Sequence, residues 1–263
     1  MLWTMTVQIH PTAIVETNAQ IADGVEIGAY AFIGNDVSIG ARCVVHHHGV
    51  VQGNTILGEE NEVFPFAMVG GKTQDLKFMG GNPPLRVGNR NVFREYVSIH
   101  CATSEETATV IGNDNHFLAY AHIAHECILA DHIIVSSQVV LGGHVRVDSY
   151  ANIGGSSAIH QFCRIGTHAM LGGGSALIND IPPFMIAEGN RARVRAYNKI
   201  GLERRGFSAD EIAQIRHLFR HIHGNNASVT EILEIIRADL KIEEGIKKTF
   251  LSFYENSIRG ISR

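Results

Sequence analysis

A short-period repeat constrains this chain more than any other feature. Apolar side chains recur every six residues from Ile9 through Ile27, Ile39 and Leu57 to Val69, return at Val87, Phe93 and Ile99, and run from Ile111 through Ile123, Leu141 and Ile159 to Leu177. Six is an even period, so the row stays on one face of a strand and would spiral around a helix. Four residues after each of these positions the side chain is usually small or β-branched, as at Val25, Ala31, Cys43, Ala121, Cys127, Ala151 and Cys163. The residue directly after the apolar one is often glycine, as at Gly28, Gly40, Gly58, Gly112 and Gly154. These glycines read as a source of positive φ or tight-turn freedom between short strands.

A hexad row without helices is buried only if the chain coils into a parallel solenoid, each coil covering the next. Three hexads then make a triangular coil of eighteen residues. The composition agrees, with 27 glycines, 45% hydrophobic and 18% charged residues, which excludes a disordered chain or a helical bundle. A balance of 22 Lys+Arg against 26 Asp+Glu offers no footprint for a polyanion, so no nucleic-acid partner is expected. No segment has the charge and apolar pattern of a leader or the length of a membrane span, which predicts a cytoplasmic protein with no integral membrane association. Cys43, Cys101, Cys127 and Cys163 are widely spaced and suit reduced thiols; all but Cys101 fall at the small inward position.

Two stretches break the hexads. Residues 70–84 contain Gly80-Gly81-Asn82-Pro83-Pro84 and predict an extruded loop carrying Lys72, Asp75 and Lys77. Residues 102–109 predict a second loop with no chemistry of its own. After Pro182-Pro183 the period changes to that of helices, with Ser208-x-x-Glu211 and Ser228-x-x-Glu231 as capping boxes. The expected organisation is a solenoid over 1–185 and a helical domain over 186–263, with helices near 192–204, 209–223, 229–240 and 243–256.

Eighteen-residue coils stack equivalent positions at about 4.8 Å, the distance between neighbouring strands. Ala124-His125-Glu126, Gly142-Gly143-His144 and His160-Gln161-Phe162 therefore share one edge. A neutral imidazole, a carboxylate and a backbone N–H beside a bare glycine suit base-catalysed acyl transfer. The same histidines also suit a metal. His132, Tyr150 and His168 form a second column to which the sequence gives no role. His46-His47-His48 reads as a surface or subunit-facing feature. No serine-nucleophile elbow, dinucleotide fingerprint or phosphate loop is present.

Specific motifs narrow the choice. Residues 121–127 (Ala-His-Ile-Ala-His-Glu-Cys), 142–145 (Gly-Gly-His-Val), 153–155 (Ile-Gly-Gly), 158–163 (Ala-Ile-His-Gln-Phe-Cys), 182–184 (Pro-Pro-Phe) and 201–207 (Gly-Leu-Glu-Arg-Arg-Gly-Phe) closely resemble the UDP-N-acetylglucosamine acyltransferases of lipid A synthesis. The resemblance implies a left-handed parallel β-helix with a C-terminal α-helical domain. It also implies transfer of a 3-hydroxyacyl chain from acyl carrier protein to the glucosamine 3-OH of UDP-N-acetylglucosamine, without a cofactor or metal. On it, His125 is the general base, Glu126 its carboxylate where the family often has Asp, and Gly143 the oxyanion donor. Asp75, Lys77, His122, His144, His160 and Gln161 surround the sugar nucleotide, and Asn198, Arg204 and Arg205 lie near uridine and diphosphate.

The resemblance further implies that Gly173 leaves the acyl groove open for a chain of the 3-hydroxymyristoyl type. Ile200 stands where relatives often carry a Glu that holds the ribose. A homotrimer is implied, with sites between subunits and the 70–84 loop reaching toward a neighbour. Arg191, Arg193, Arg195, Arg204, Arg205, Arg216 and Arg220 are candidates for receiving the acidic carrier protein. Three alternatives stay open at this level: a 3-amino sugar acceptor, a gamma-class carbonic anhydrase with His122, His125 and His144 on zinc, and a non-catalytic solenoid. The N-acyltransferase of the same pathway normally carries a large N-terminal domain, for which hexads beginning at Ile9 leave no room.

Overall fold

The computed structural model describes residues 6–223 and 228–262. Two- to four-residue strands follow one another around a triangle and pair only with the coils above and below. They form three sheets of 11, 9 and 8 strands, called here the first, second and third. The register confirms the eighteen-residue coil: Ile123 pairs with Leu141 and Leu141 with Ile159 in the second sheet. All pairs are parallel except the last in the first sheet.

The hexad row forms the core. Ile33, Leu57, Phe93, Ile123, Leu141 and Leu171 are buried, and each such side chain contributes about 1.5–3 kcal/mol relative to exposure. Cys43, Cys127 and Cys163 are buried free thiols at the small inward position. Burial pushes the Cys127 and Cys163 thiols up to about 12, so neither is a nucleophile at neutral pH.

Glycine plays a different part from the one expected. Positive φ at the corners falls mostly on residues with side chains, among them Tyr30, Glu60, Glu126, His144, Tyr150 and His168, with Gly24 and Gly174 as exceptions. The glycines after the apolar row are needed for close approach. A Cβ on Gly28 would lie 2.6 Å from the backbone nitrogen of His47, one coil above. It is the stacking distance that excludes a side chain there.

Both breaks in the pattern are extrusions from the corner joining the second sheet to the third. Val69 pairs with Ile99 and Ile99 with Ile123, which are 30 and 24 residues apart in place of 18. The loops therefore leave from the same edge on successive coils, directly below His125.

The first sheet continues through Met185–Glu188, which pairs antiparallel with Arg193–Tyr197. A helix over 192–204 is thus corrected to a strand followed by the short α1 (Lys199–Arg204). The residues Arg-Val-Arg-Ala alternate exposed and half-buried, and an open sheet edge takes that period-two pattern before a helix can use it. The helices α2 (Ala209–His223), α3 (Val229–Ala238) and α4 (Glu244–Glu255) follow, and both capping boxes form. Phe250, Phe253 and Tyr254 of α4 are buried, and Arg164 of the solenoid lies 4.7 Å over the Phe253 ring while its guanidinium pairs with Asp148. No helix among the described residues is long and apolar enough to cross a membrane.

Candidate active site

Strands His122–Ile123, Val140–Leu141 and Ala158–Ile159 of the second sheet each end at one corner, and the following residues stack there as the spacing predicts. His125 is largely buried, and its Nδ1 is hydrogen-bonded to Oε2 of Glu126. Its Nε2 faces an open cleft, with Asp75 Oδ2 at 3.8 Å. The His144 ring meets that of His125 edge-on at 5.3 Å and stacks on Phe162 at 4.5 Å.

Gly143 has its own reason to be glycine. A Cβ there would lie 2.5 Å from Nε2 of His125, so the bare backbone is what lets the imidazole occupy the corner. The Gly143 N–H donates no hydrogen bond among the described residues, whereas the next N–H, of His144, donates to the His125 carbonyl. An N–H with no partner, beside a base, is suited to an oxyanion donor.

Glu126 is 7% exposed and more heavily bonded than the sequence suggests. Its Oε1 accepts from the Thr103 N–H at 2.6 Å, the Thr103 hydroxyl at 2.6 Å and the Thr107 hydroxyl at 2.9 Å. Its own N–H donates to Thr109 Oγ1 at 2.9 Å. Burial raises its pKa, but the Thr103, His125 and Thr107 bonds outweigh burial and hold it at about 2. The 102–109 loop, read from sequence as having no chemistry, is therefore the socket of this carboxylate.

The other loop curls back over its own chain. Asp75, Lys77, Gln74 and Leu76 line the cleft together with His100, His122, Ala124, His125 and Gln161. Asp75 Oδ1 accepts from the Lys77 N–H at 2.9 Å, which fixes the turn. His122 Nδ1 is 2.7 Å from Ser98 Oγ, and burial lowers its pKa, helped by His125. His144 is also lowered, first by burial. Both rings are thus favoured in their neutral form. His160 is exposed, with Nδ1 3.0 Å from the Gln161 carbonyl.

Sequence reasoning missed His100. This ring is 2% exposed, its Nδ1 has no hydrogen-bond partner among the described residues, and burial followed by His122 and His125 lowers it to about 4. Its strand pairs with the next coil 24 residues on, so arithmetic in steps of 18 passes over it.

Asn198, Arg204 and Arg205 lie elsewhere, at the corner between the third and first sheets, where they line a cavity of about 710 Å³. The column set aside as roleless forms one of its walls. Tyr150 stacks on His132 and His168, each at 4.7 Å, and the Arg205 guanidinium lies 4.8 Å over the Tyr150 ring. Asn198 caps α1, accepting from the Gly201 N–H at 3.2 Å, and its amide donates to the His168 carbonyl at 2.8 Å. Ile200 is 62% exposed and lines the cavity, and no carboxylate does. Gly173 sits at the third corner, where a Cβ would be 3.2 Å from the Gly155 carbonyl oxygen.

Among the described residues, the one trio of close potential metal ligands is His125, Glu126 and His144. Within one chain that trio has Glu126 where the zinc set considered from sequence has His122.

A sequence profile described as UDP N-acetylglucosamine O-acyltransferase, domain 2, matches residues 180–262. Curated proteins named acyl-[acyl-carrier-protein]--UDP-N-acetylglucosamine O-acyltransferase are similar over nearly the whole chain. The Paraburkholderia phymatum protein is 44% identical, covering 97% of this chain and 99% of its own, and that of Burkholderia lata is 45% identical with the same coverage. Among solved structures, LpxA of Acinetobacter baumannii is 37% identical with a TM-score of 0.92, and the Moraxella catarrhalis enzyme 35% with 0.93. Each comparison covers 97% of this chain and 99% of the other. Fold and likeness together define an acyltransferase of the hexapeptide-repeat, left-handed β-helix class. The chain belongs to the UDP-N-acetylglucosamine O-acyltransferase family.

Proposed function

We propose that this protein transfers a 3-hydroxyacyl chain from acyl carrier protein to the 3-hydroxyl of UDP-N-acetylglucosamine, the first step of lipid A synthesis. The observation that carries the reading is the His125 corner: an imidazole bonded on one side to an ionised carboxylate, open on the other to a cleft, and set against a glycine whose N–H is free. Nε2 of His125 removes the hydroxyl proton as the oxygen attacks the thioester carbonyl. The Gly143 N–H receives the developing oxyanion, and collapse expels the thiolate, which recovers the proton from Nε2. Glu126 keeps the proton of the imidazole on Nδ1, so that Nε2 is the basic nitrogen.

Asp75, Lys77, His122, His144, His160 and Gln161 lie around or beside this cleft and suit the sugar. The Arg204 and Arg205 guanidiniums suit diphosphate, but they stand at a different corner of the same solenoid. A sugar nucleotide that uses both sets needs them from two chains, which supports a homotrimer with shared sites. Between the His125 corner and the Gly173 corner, the outward side chains across the second sheet are Val140, Ala158 and Ala176, a small apolar track for the acyl chain. Gly173 adds no side chain to that track, which favours a long chain of the 3-hydroxymyristoyl type. The arginines of Arg193–Tyr197 and of α2 offer a basic surface to an acidic carrier protein.

The test incubates wild type and His125→Ala with UDP-N-acetylglucosamine and a mixture of 3-hydroxyacyl carrier proteins, and reads products by mass spectrometry. A 3-O-acyl product that nearly vanishes in the variant is expected. No wild-type product, or full activity in the variant, overturns the assignment.

A further inference from the structure

The corner beneath Glu126 is absent, because the chain leaves the coil there as the 102–109 loop. At most corners the second turn residue donates its N–H to a carbonyl of the coil below, as His144 does to His125 and Phe162 does to Gly143. Glu126 has no such carbonyl and donates to the Thr109 hydroxyl. The gap also gives its carboxylate room to turn down into the loop. There Thr103 and Thr107 place three donors on one oxygen, Oε1. The other oxygen then has a single orientation, toward Nδ1 of His125.

We propose that Thr103 and Thr107 are positioning residues for the acyl-transfer reaction, locking Oε1 of Glu126 so that Oε2 holds the His125 imidazole in its base-competent tautomer and orientation. This rests on the reading of His125 as the base. A carboxylate bound on one side only rotates about its terminal torsion, and an imidazole whose partner rotates samples orientations that do not attack. Three charge-assisted bonds from one loop remove that freedom. Thr103 is half-buried and its N–H belongs to the backbone, whereas Thr107 is exposed and reaches Oε1 only through its hydroxyl. The socket is thus made in part by a residue whose replacement leaves the core intact.

Thr107→Val, Thr103→Val, the double variant and Thr107→Ser provide the test. Three properties are compared: kcat, KM for the sugar nucleotide, and the tautomer of the His125 imidazole read by 15N NMR without substrates. Thr107→Val is expected to lower kcat on the order of tenfold with KM changed by less than about twofold. The imidazole loses its fixed partner, so the share of its Nδ1-protonated tautomer falls. Thr107→Ser restores both kcat and the tautomer. Wild-type kcat in the double variant, or a kcat loss with an unchanged tautomer, overturns the proposal. If the tautomer changes while the rate does not, the positioning stands and the reading of His125 as base is what fails.

Discussion

Two corners of the solenoid carry aromatic nitrogen side chains at the same eighteen-residue spacing, and they do opposite things with them. At the corner between the third and first sheets, His168 stacks on Tyr150 with coils intact above and below, and burial followed by Arg205 lowers it to about 4. At the corner between the second and third sheets, His125 has a carboxylate on one side and open space on the other. The difference comes from the coil beneath. An intact corner offers a ring to stack on, whereas the extruded loop offers hydroxyl donors that stabilise an anion. Equal spacing brings side chains together, and the neighbouring coil decides their chemistry.

The largest effect should come from His125→Ala, which is expected to lower kcat about a thousandfold with little change in folding. The matching change at the other corner, His168→Ala, should leave kcat within about threefold if that column serves binding and packing alone. A comparable loss in both would erase the distinction, and steady-state kinetics on the two variants decides. Gly143→Ala comes next. Its methyl must displace the His125 ring, so kcat should fall about a hundredfold, with the displacement visible in a crystal structure of the variant.

Ile200→Glu acts on the arginine cavity. If a ribose sits there, a carboxylate at this exposed position, in a cavity lined by no other acid, should lower KM for the sugar nucleotide a few-fold, on the order of one hydrogen bond. Unchanged or raised KM would place the ribose elsewhere.

The smallest effect separates the corners by acid titration. The unfolded chain protonates His168 near its ordinary 6.5, while the folded corner holds it neutral to about 4, so its contribution weakens stability as pH falls through that window. His100 behaves alike. Glu126 has the opposite sign of origin: lowered from 4.5 to about 2, it contributes fully above pH 4.5 and loses that contribution as pH falls toward 2. Denaturation midpoints should therefore show a reduced slope between pH 6.5 and 4 in His168→Gln, and between pH 4.5 and 2 in Glu126→Gln. Parallel curves for wild type and either variant would refute that assignment.

Much of this was legible in the chain. The hexads define the coil, and steps of eighteen place His125, Gly143 and Gln161 on one edge. Extrusions were legible as breaks, but not their function, because Thr103 and Thr107 reach Glu126 along a path with no period. His100 escaped for the related reason that an extrusion changes the step from 18 to 24. Residues 193–197 were misread because their strand depends on a partner edge that local helical pattern does not reveal. The part of Tyr150 and His168 in the arginine cavity escaped because helix α1 and that column meet only through the fold.

The corners turn through the left-handed region on residues that have side chains. Each such turn costs about 1–2 kcal/mol in local conformational energy, which the stacked coils hold in place. In return most corners carry a side chain at a fixed height on a rigid post. Glu126, His144, Tyr150 and His168 all occupy turns of this kind. The solenoid therefore works as an addressable scaffold: a reactive or recognising group can be exchanged at one level without disturbing the apolar interior, and new chemistry can be written on the outside of an old core.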